Sequence, residues 1–172
     1  MSRLPPVEPS AEEKAYRARE GTVAPNLQLA VAHAPEVARL QLELNRAAVA
    51  GMTIRQKELI ILEVGLLTEN AYCWGHHIPP AIGGGLTVDE LRSLRSRDHS
   101  AFPAEERALL AFCDAAIERR VTDDIWQAVS AGRTPEELVK ITMTVGFYSL
   151  LGVVQGALDV AQDEGFGGFE QP

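Results

Sequence analysis

Apolar positions along this chain recur at helical spacing almost throughout, and no stretch alternates in the way a half-buried strand does. From Leu27 to about Ala50 the Leu, Val and Ala residues mark one helical face, interrupted near Pro35 after a break at Pro25-Asn26. Start signals then punctuate the chain. Thr53-Ile-Arg-Gln56 opens a helix, and Thr87-Val-Asp-Glu90 opens a short one after the Gly83-Gly84-Gly85 turn. Pro103-Ala-Glu-Glu106 starts a helix predicted to reach about Arg120. Thr122 caps Asp123 to Ala131, and Thr134-Pro-Glu-Glu137 places proline at the first position of a last long helix. Upstream, Ser10-Ala-Glu-Glu13 has the form of a capping box, preceded by a proline-rich stretch expected to be extended and poorly ordered.

Two segments, Leu59 to Leu67 and Leu138 to Val160, are apolar nearly all round. Such helices sit at the centre of a bundle or at a subunit contact. One small domain has difficulty covering both, so the expected state is a homo-oligomer, a trimer or hexamer. The second segment has the length of a membrane span, but Lys140, Gln155, Asp159 and its glycines favour a core or contact helix, with no membrane partner. The predicted fold is all-α, a single-domain helical bundle. Residues 1–25 form a lead-in, 26–165 the helical domain and 166–172 a tail.

Composition narrows the function classes. The 172 residues are 46% apolar and 23% charged, ordinary for a globular protein. A formal charge of −8 argues against a nucleic-acid partner, since phosphate binding needs clustered Lys and Arg. The first residues lack the apolar core of a signal peptide, and two cysteines, Cys73 and Cys113, are too few for a disulfide framework. The expectation is a cytoplasmic protein with free thiols acting on a small molecule.

Candidate chemistry concentrates between Glu58 and His77. Cys73 follows Glu58 by fifteen positions and precedes His77 by four. Residues four apart on a helix share a face with Cβ atoms about 5–6 Å apart, so the imidazole is expected to approach the thiol and favour its thiolate. Glu58 lies among Leu59, Ile60, Ile61 and Leu62, where a carboxylate needs a partner such as Arg55 or Lys57. Pro79-Pro80 is expected to bend or restart the helix just after His77. His76 invites a metal, yet Cys73, His76 and His77 diverge around the helix and further ligands are lacking, so neither metal nor cofactor is expected. Tyr72 and Trp74 bracket the thiol, either as pocket walls or as core. Asp98-His99 reads as a solvated loop and Cys113 as packing.

These residues resemble the carboxymuconolactone decarboxylase and alkyl hydroperoxidase D-like superfamily. In its hydroperoxidase branch a glutamate precedes a Cys-x-x-Cys-x-x-x-His motif. Here Glu58 stands at the glutamate, Asn70 at the first cysteine, Cys73 at the second and His77 at the histidine. Arg55-Gln-Lys-Glu-Leu-Ile-Ile-Leu62 is similar to the family's Arg-x-x-Glu-Leu helix, and Tyr72-Cys-Trp-Gly-His-His77 to its Tyr-Glu-Trp-x-x-His variant. Glu106-Arg-Ala-Leu-Leu110, Asp123-Asp-Ile-Trp126 and the Gly146-Phe-Tyr…Ala157-Leu-Asp159 helix extend the likeness over about Asn26 to Val160.

The resemblance implies catalytic roles for Cys73, His77 and Glu58, with Tyr72, Trp74, His76 and Asn70 around them. It implies a thiol-dependent, peroxiredoxin-like peroxide-reducing oxidoreductase with Cys73 as attacking thiol. Asn70 cannot resolve a sulfenic acid, so an external thiol is required. Two other readings stand beside it: a cofactor-free lyase on a small organic acid, in which His77 and Glu58 handle protons, and a non-catalytic oligomeric scaffold with Cys73 buried and inert.

Overall fold

The computed structural model describes residues 2–5, 7, 11 and 26–170. Eight α-helices lie among them, with no strand: α1 (Asn26–Val31), α2 (Pro35–Val49), α3 (Ile54–Leu67), α4 (Ala71–Gly83), α5 (Val88–Arg95), α6 (Ala104–Ile117), α7 (Asp123–Ser130) and α8 (Pro135–Ala157). Short 3-10 turns follow at His99–Ala101 and Gly168–Glu170. The capping box expected at Ser10 falls outside the described residues. The threonine caps form as the sequence requires. Thr53, Thr87, Thr122 and Thr134 accept from the backbone N–H three residues on, and Thr87 and Thr134 complete reciprocal boxes with Glu90 and Glu137. Helix α6 stops at Ile117, short of Arg120, because Arg119 turns left-handed at φ 58° and ends the ladder.

Helix α3 is the axis of the fold and packs against α4, α6 and α8. Every residue from Glu58 to Gly65 is buried. The reason is two cores, one on each side. Ile60, Ile61 and Val64 join Leu109, Phe112, Ile141 and Val145, while Leu59 and Leu62 join Trp74, Ile78, Leu91 and Leu94. A smaller cluster of Leu27, Val31, Ala38, Tyr72 and Val160 closes the end where α1 meets the C-terminal segment. Helix α8 is covered on one side only. It contacts α2, α3 and α6, yet Val139, Leu150 and Val153 remain more than half exposed. Among the described residues it is also the one helix long and apolar enough to cross a membrane.

Two expectations need correction. Helix α4 runs unbroken through Pro79 and Pro80 to Gly83. Proline's fixed φ suits a helix, and the missing N–H bonds are offset by burial of Ile78 and Ala81 in the core. The lead-in is anchored where it is described. Arg3 bonds through its backbone to the carbonyl of Leu158 at 2.9 Å and through its guanidinium to that of Ala157 at 2.8 Å. The C-terminal segment is packed on α4, with Phe169 against Trp74 and Phe166 stacked on His76 at 3.9 Å.

Candidate active site

A tight turn delivers α4 onto α3. At the end of α3, Glu69 is left-handed (φ 52°), and the N–H groups of Glu69 and Asn70 return to the carbonyls of Leu66 and Gly65 at 3.2 and 2.7 Å. This Schellman closure satisfies the last carbonyls of α3. Asn70 then caps α4, its Oδ1 accepting from the Cys73 N–H at 2.9 Å. Asn70 thus holds a structural position where a resolving thiol would stand. With the register set, His77 lies over the first buried turn of α3.

There the Nδ1 of His77 meets Oε2 of Glu58 at 2.6 Å. Oε1 of Glu58 lies 2.7 Å from the Lys57 ammonium. Burial alone would push the Glu58 carboxyl up, but His77 and then Lys57 outweigh it and hold the group below its ordinary range. Glu58 is therefore ionised, an acceptor only, and Nδ1 must carry the hydrogen between them. Among the described residues no hydrogen bond to the ring's Nε2 is present. The carboxylate is wholly buried, whereas the His77 side chain keeps 21% of its surface open. Tyr148 of α8 packs edge-on against the imidazole at 5.3 Å.

Cys73 departs from the expected arrangement. It is buried, and its thiol donates to the carbonyl of Ile61 at 3.8 Å. Among the described residues no hydrogen bond joins it to His77. Burial pushes the thiol far above its ordinary value, and the negative charge of Glu58 adds to that. Helical spacing brings Cβ atoms near each other but does not aim side chains: here the sulfur turns toward α3 and the imidazole toward Glu58. The expected activated thiolate is a protonated, packed thiol in this conformation. Cys113 is likewise buried, and both cysteines are free.

The remaining candidates separate into two settings. Trp74 is fully buried in the core, so it walls no open pocket. Tyr72 and His76 converge instead on Asp163, which the sequence reading missed. His76 Nε2 lies 2.8 Å from Asp163 Oδ2, the Tyr72 hydroxyl donates to the same oxygen, and the Asn26 N–H reaches Oδ1 at 2.9 Å. His76 stacks between Tyr72 and Phe166. This network fastens the C-terminal segment to α4, on a separate contact from the Glu58–His77 pair. No local signal marks Asp163, which lies 87 positions beyond His76.

His99 is not the solvated loop residue expected. Its Nε2 lies 3.4 Å from Glu63, a second fully buried carboxylate on α3. Arg55, offered as a partner for Glu58, bonds Glu90 and Glu106 instead, each at 2.6 Å.

The family model for the Carboxymuconolactone decarboxylase family matches residues 35–115, which include Glu58, Cys73 and His77. No curated protein matches the chain. Several solved structures share its fold. A protein of unknown function from Agrobacterium tumefaciens, suggested to be the antioxidant-defence protein AhpD, is 24% identical over 77% of this chain and 94% of its own (TM-score 0.71). An uncharacterised peroxidase-related protein with an alkylhydroperoxidase AhpD core, from Ralstonia eutropha JMP134, is 20% identical over 95% and 93% (TM-score 0.81). The debrominase Bmp8, as a cysteine-to-alanine variant in complex with 2,3,4-tribromopyrrole, is 19% identical over 92% and 90% (TM-score 0.77). At these identities the structural likenesses establish the fold alone. Residues 35–115 are thus similar to the carboxymuconolactone decarboxylase family, and the chain as a whole shares the fold of these structures.

Proposed function

We propose that this protein is a cofactor-free enzyme acting on a small organic acid or lactone, with His77 as its general acid and base and Glu58 orienting it. One observation carries this reading: the 2.6 Å contact between a buried, ionised Glu58 and Nδ1 of a partly open His77. A buried carboxylate that fixes the imidazole tautomer leaves Nε2 as the working nitrogen. Such a base removes a proton from carbon beside a carbonyl, or returns one after a carboxylate leaves as carbon dioxide. The family's decarboxylase name and the debrominase of the same fold agree with small-molecule catalysis.

A second reading, thiol-dependent peroxide reduction, is favoured by the placement of Cys73 one turn before His77. There the thiol loses its proton to His77 as the site opens. The thiolate sulfur attacks one peroxide oxygen, the O–O bond breaks, and an alcohol leaves with the proton. An external thiol then reduces the sulfenic acid, giving water and a disulfide in two thiol steps. The resting geometry supports this less, because the sulfur is buried, protonated and donates to the carbonyl of Ile61.

Paired variants in two assays separate the readings. Under the first, His77→Ala stops turnover of a lactone or β-keto acid that Cys73→Ser still converts. Equal loss in both variants contradicts it. Under the second, Cys73→Ser abolishes peroxide consumption with an external thiol, and Asn70→Cys raises it. The uncovered apolar surface of α2 and α8, including Val37, Leu40, Leu150 and Val153, supports a homo-oligomer. Sedimentation as a trimer or hexamer is the expected result, and a monomer contradicts it.

A further inference from the structure

The second buried carboxylate of α3 has no part in the Glu58–His77 pair. Glu63 lies five residues further on, about 140° around the helix, and is fully buried. Asp114 of α6 joins it, with Arg97 and His99 from the loop after α5. One ligand atom each from Glu63, His99 and Asp114 lie within 4.8 Å of one another.

Arg97 accounts for only part of this negative charge. Its guanidinium bonds one oxygen of Glu63 and reaches both oxygens of Asp114 at 2.8 Å. The other oxygen of Glu63, Oε2, is shielded from water and has no hydrogen-bond partner. A carboxylate oxygen left without a partner in the interior is costly, and a cation, a proton or a water would relieve that cost. His99 Nε2, although 3.4 Å from Glu63, also makes no directed hydrogen bond and is shielded. A buried carboxylate oxygen without a hydrogen-bond partner and an imidazole nitrogen thus share one small volume.

We propose that Glu63, His99 and Asp114 form a binding site for a divalent transition-metal cation of the zinc type. One imidazole and two carboxylates are donors that such borderline cations accept. Bonds of about 2.0–2.2 Å place donors about 3.4 Å apart around a tetrahedral ion, the separation of His99 from Glu63 already, so the widest pair draws in by at most about 1.4 Å. The fourth position is water. Arg97 is the cation displaced, and its side chain, 39% exposed, has solvent to move into. The site ties α3 to α6 and to the loop after α5, so the bound ion stabilises the bundle rather than serving His77. This inference is independent of the proposed catalytic function.

The test uses the full chain, tag-free and stripped with a chelator. Zinc is titrated by calorimetry at neutral pH, with cobalt absorption as a second probe and Tm as the stability readout. The expected result is one equivalent bound, a higher Tm, and affinity lowered at least about tenfold by Glu63→Gln and by His99→Ala. Arg97→Gln, which removes the competing cation, strengthens binding. If Glu63→Gln does not fold, His99→Ala carries the test, since its ring lies at the rim. No saturable binding, equal binding in His99→Ala, or weaker binding in Arg97→Gln overturns the proposal. In that case the occupant of Oε2 is a proton shared with Asp114.

Discussion

Nδ1 of His77 and Oε2 of Glu58, from adjoining turns of two crossing helices, stand 2.6 Å apart with the carboxylate wholly buried and the imidazole partly open. The pair joins a charge that water cannot reach to a ring that is open to solvent. Both catalytic readings of this fold use it, whatever Cys73 does.

Replacing Glu58 by Gln keeps the side-chain volume and removes the charge. The amide can then present N–H to the ring, which favours the wrong tautomer of His77. Turnover of the enzyme's substrate should fall about 10²–10⁴-fold, with far-ultraviolet circular dichroism unchanged. Activity within a factor of two of wild type would show that Glu58 is structural.

Gly75 allows the C-terminal segment to lie on α4. A Cβ there would stand 2.9 Å from the backbone nitrogen of Gly168 and 2.7 Å from the Gln162 side chain. The glutamine can move, but the backbone cannot do so without lifting the segment. Gly75→Ala should cost about 1–3 kcal/mol and should speed proteolysis after residue 160. Unchanged denaturant midpoint and cleavage rate would refute this contact.

Arg55 joins α3, α5 and α6 through Glu90 and Glu106. Hydrogen bonding to Arg55 holds the Glu90 carboxyl at about 2, below its ordinary 4.5. A depressed carboxyl stabilises the fold above its unfolded value and loses that contribution as pH falls through the folded one. Wild-type stability should therefore decline between pH 4.5 and about 2. Arg55→Ala, expected to cost about 2 kcal/mol at neutral pH, should flatten that decline. An equally steep acid limb in the variant would assign it elsewhere.

Arg119 adopts φ 58° at the end of α6, where its side chain does not require that conformation. Glycine enters this region without steric cost. Arg119→Gly should raise stability by about 0.5–1 kcal/mol in denaturant unfolding. A loss would show that the arginine side chain contributes more than its backbone strain costs.

What the sequence made legible follows the range of the interactions. The caps at Thr53, Thr87, Thr122 and Thr134 involve residues three apart, so their signatures sufficed. The burial of α3 followed from its continuous apolar run, and Glu58 within that run pointed to a partner. Of the partners read for it, Lys57 is in contact and Arg55 is not, while the approach of His77 needed two helices to pack in one register. Spacing misled at Cys73, because two side chains on one helical face can turn to different neighbours. It misled at Pro79-Pro80, where core packing overrode a local preference. Asp163 and the Glu63–His99–Asp114 group were invisible, since each depends on segments far apart in the chain meeting through the whole fold.

Whether His77 or Cys73 is the reacting group turns on the state of the thiol, and native-state alkylation across pH reads that state directly. Cys113→Ala isolates the thiol while leaving a small apolar residue in the core. The structure predicts slow labelling at every pH at which the protein stays folded, and prompt labelling once denaturant exposes the sulfur. Rapid labelling in the native state, with a midpoint well below the ordinary thiol value of about 8.5, would contradict it and make Cys73, not His77, the reacting group.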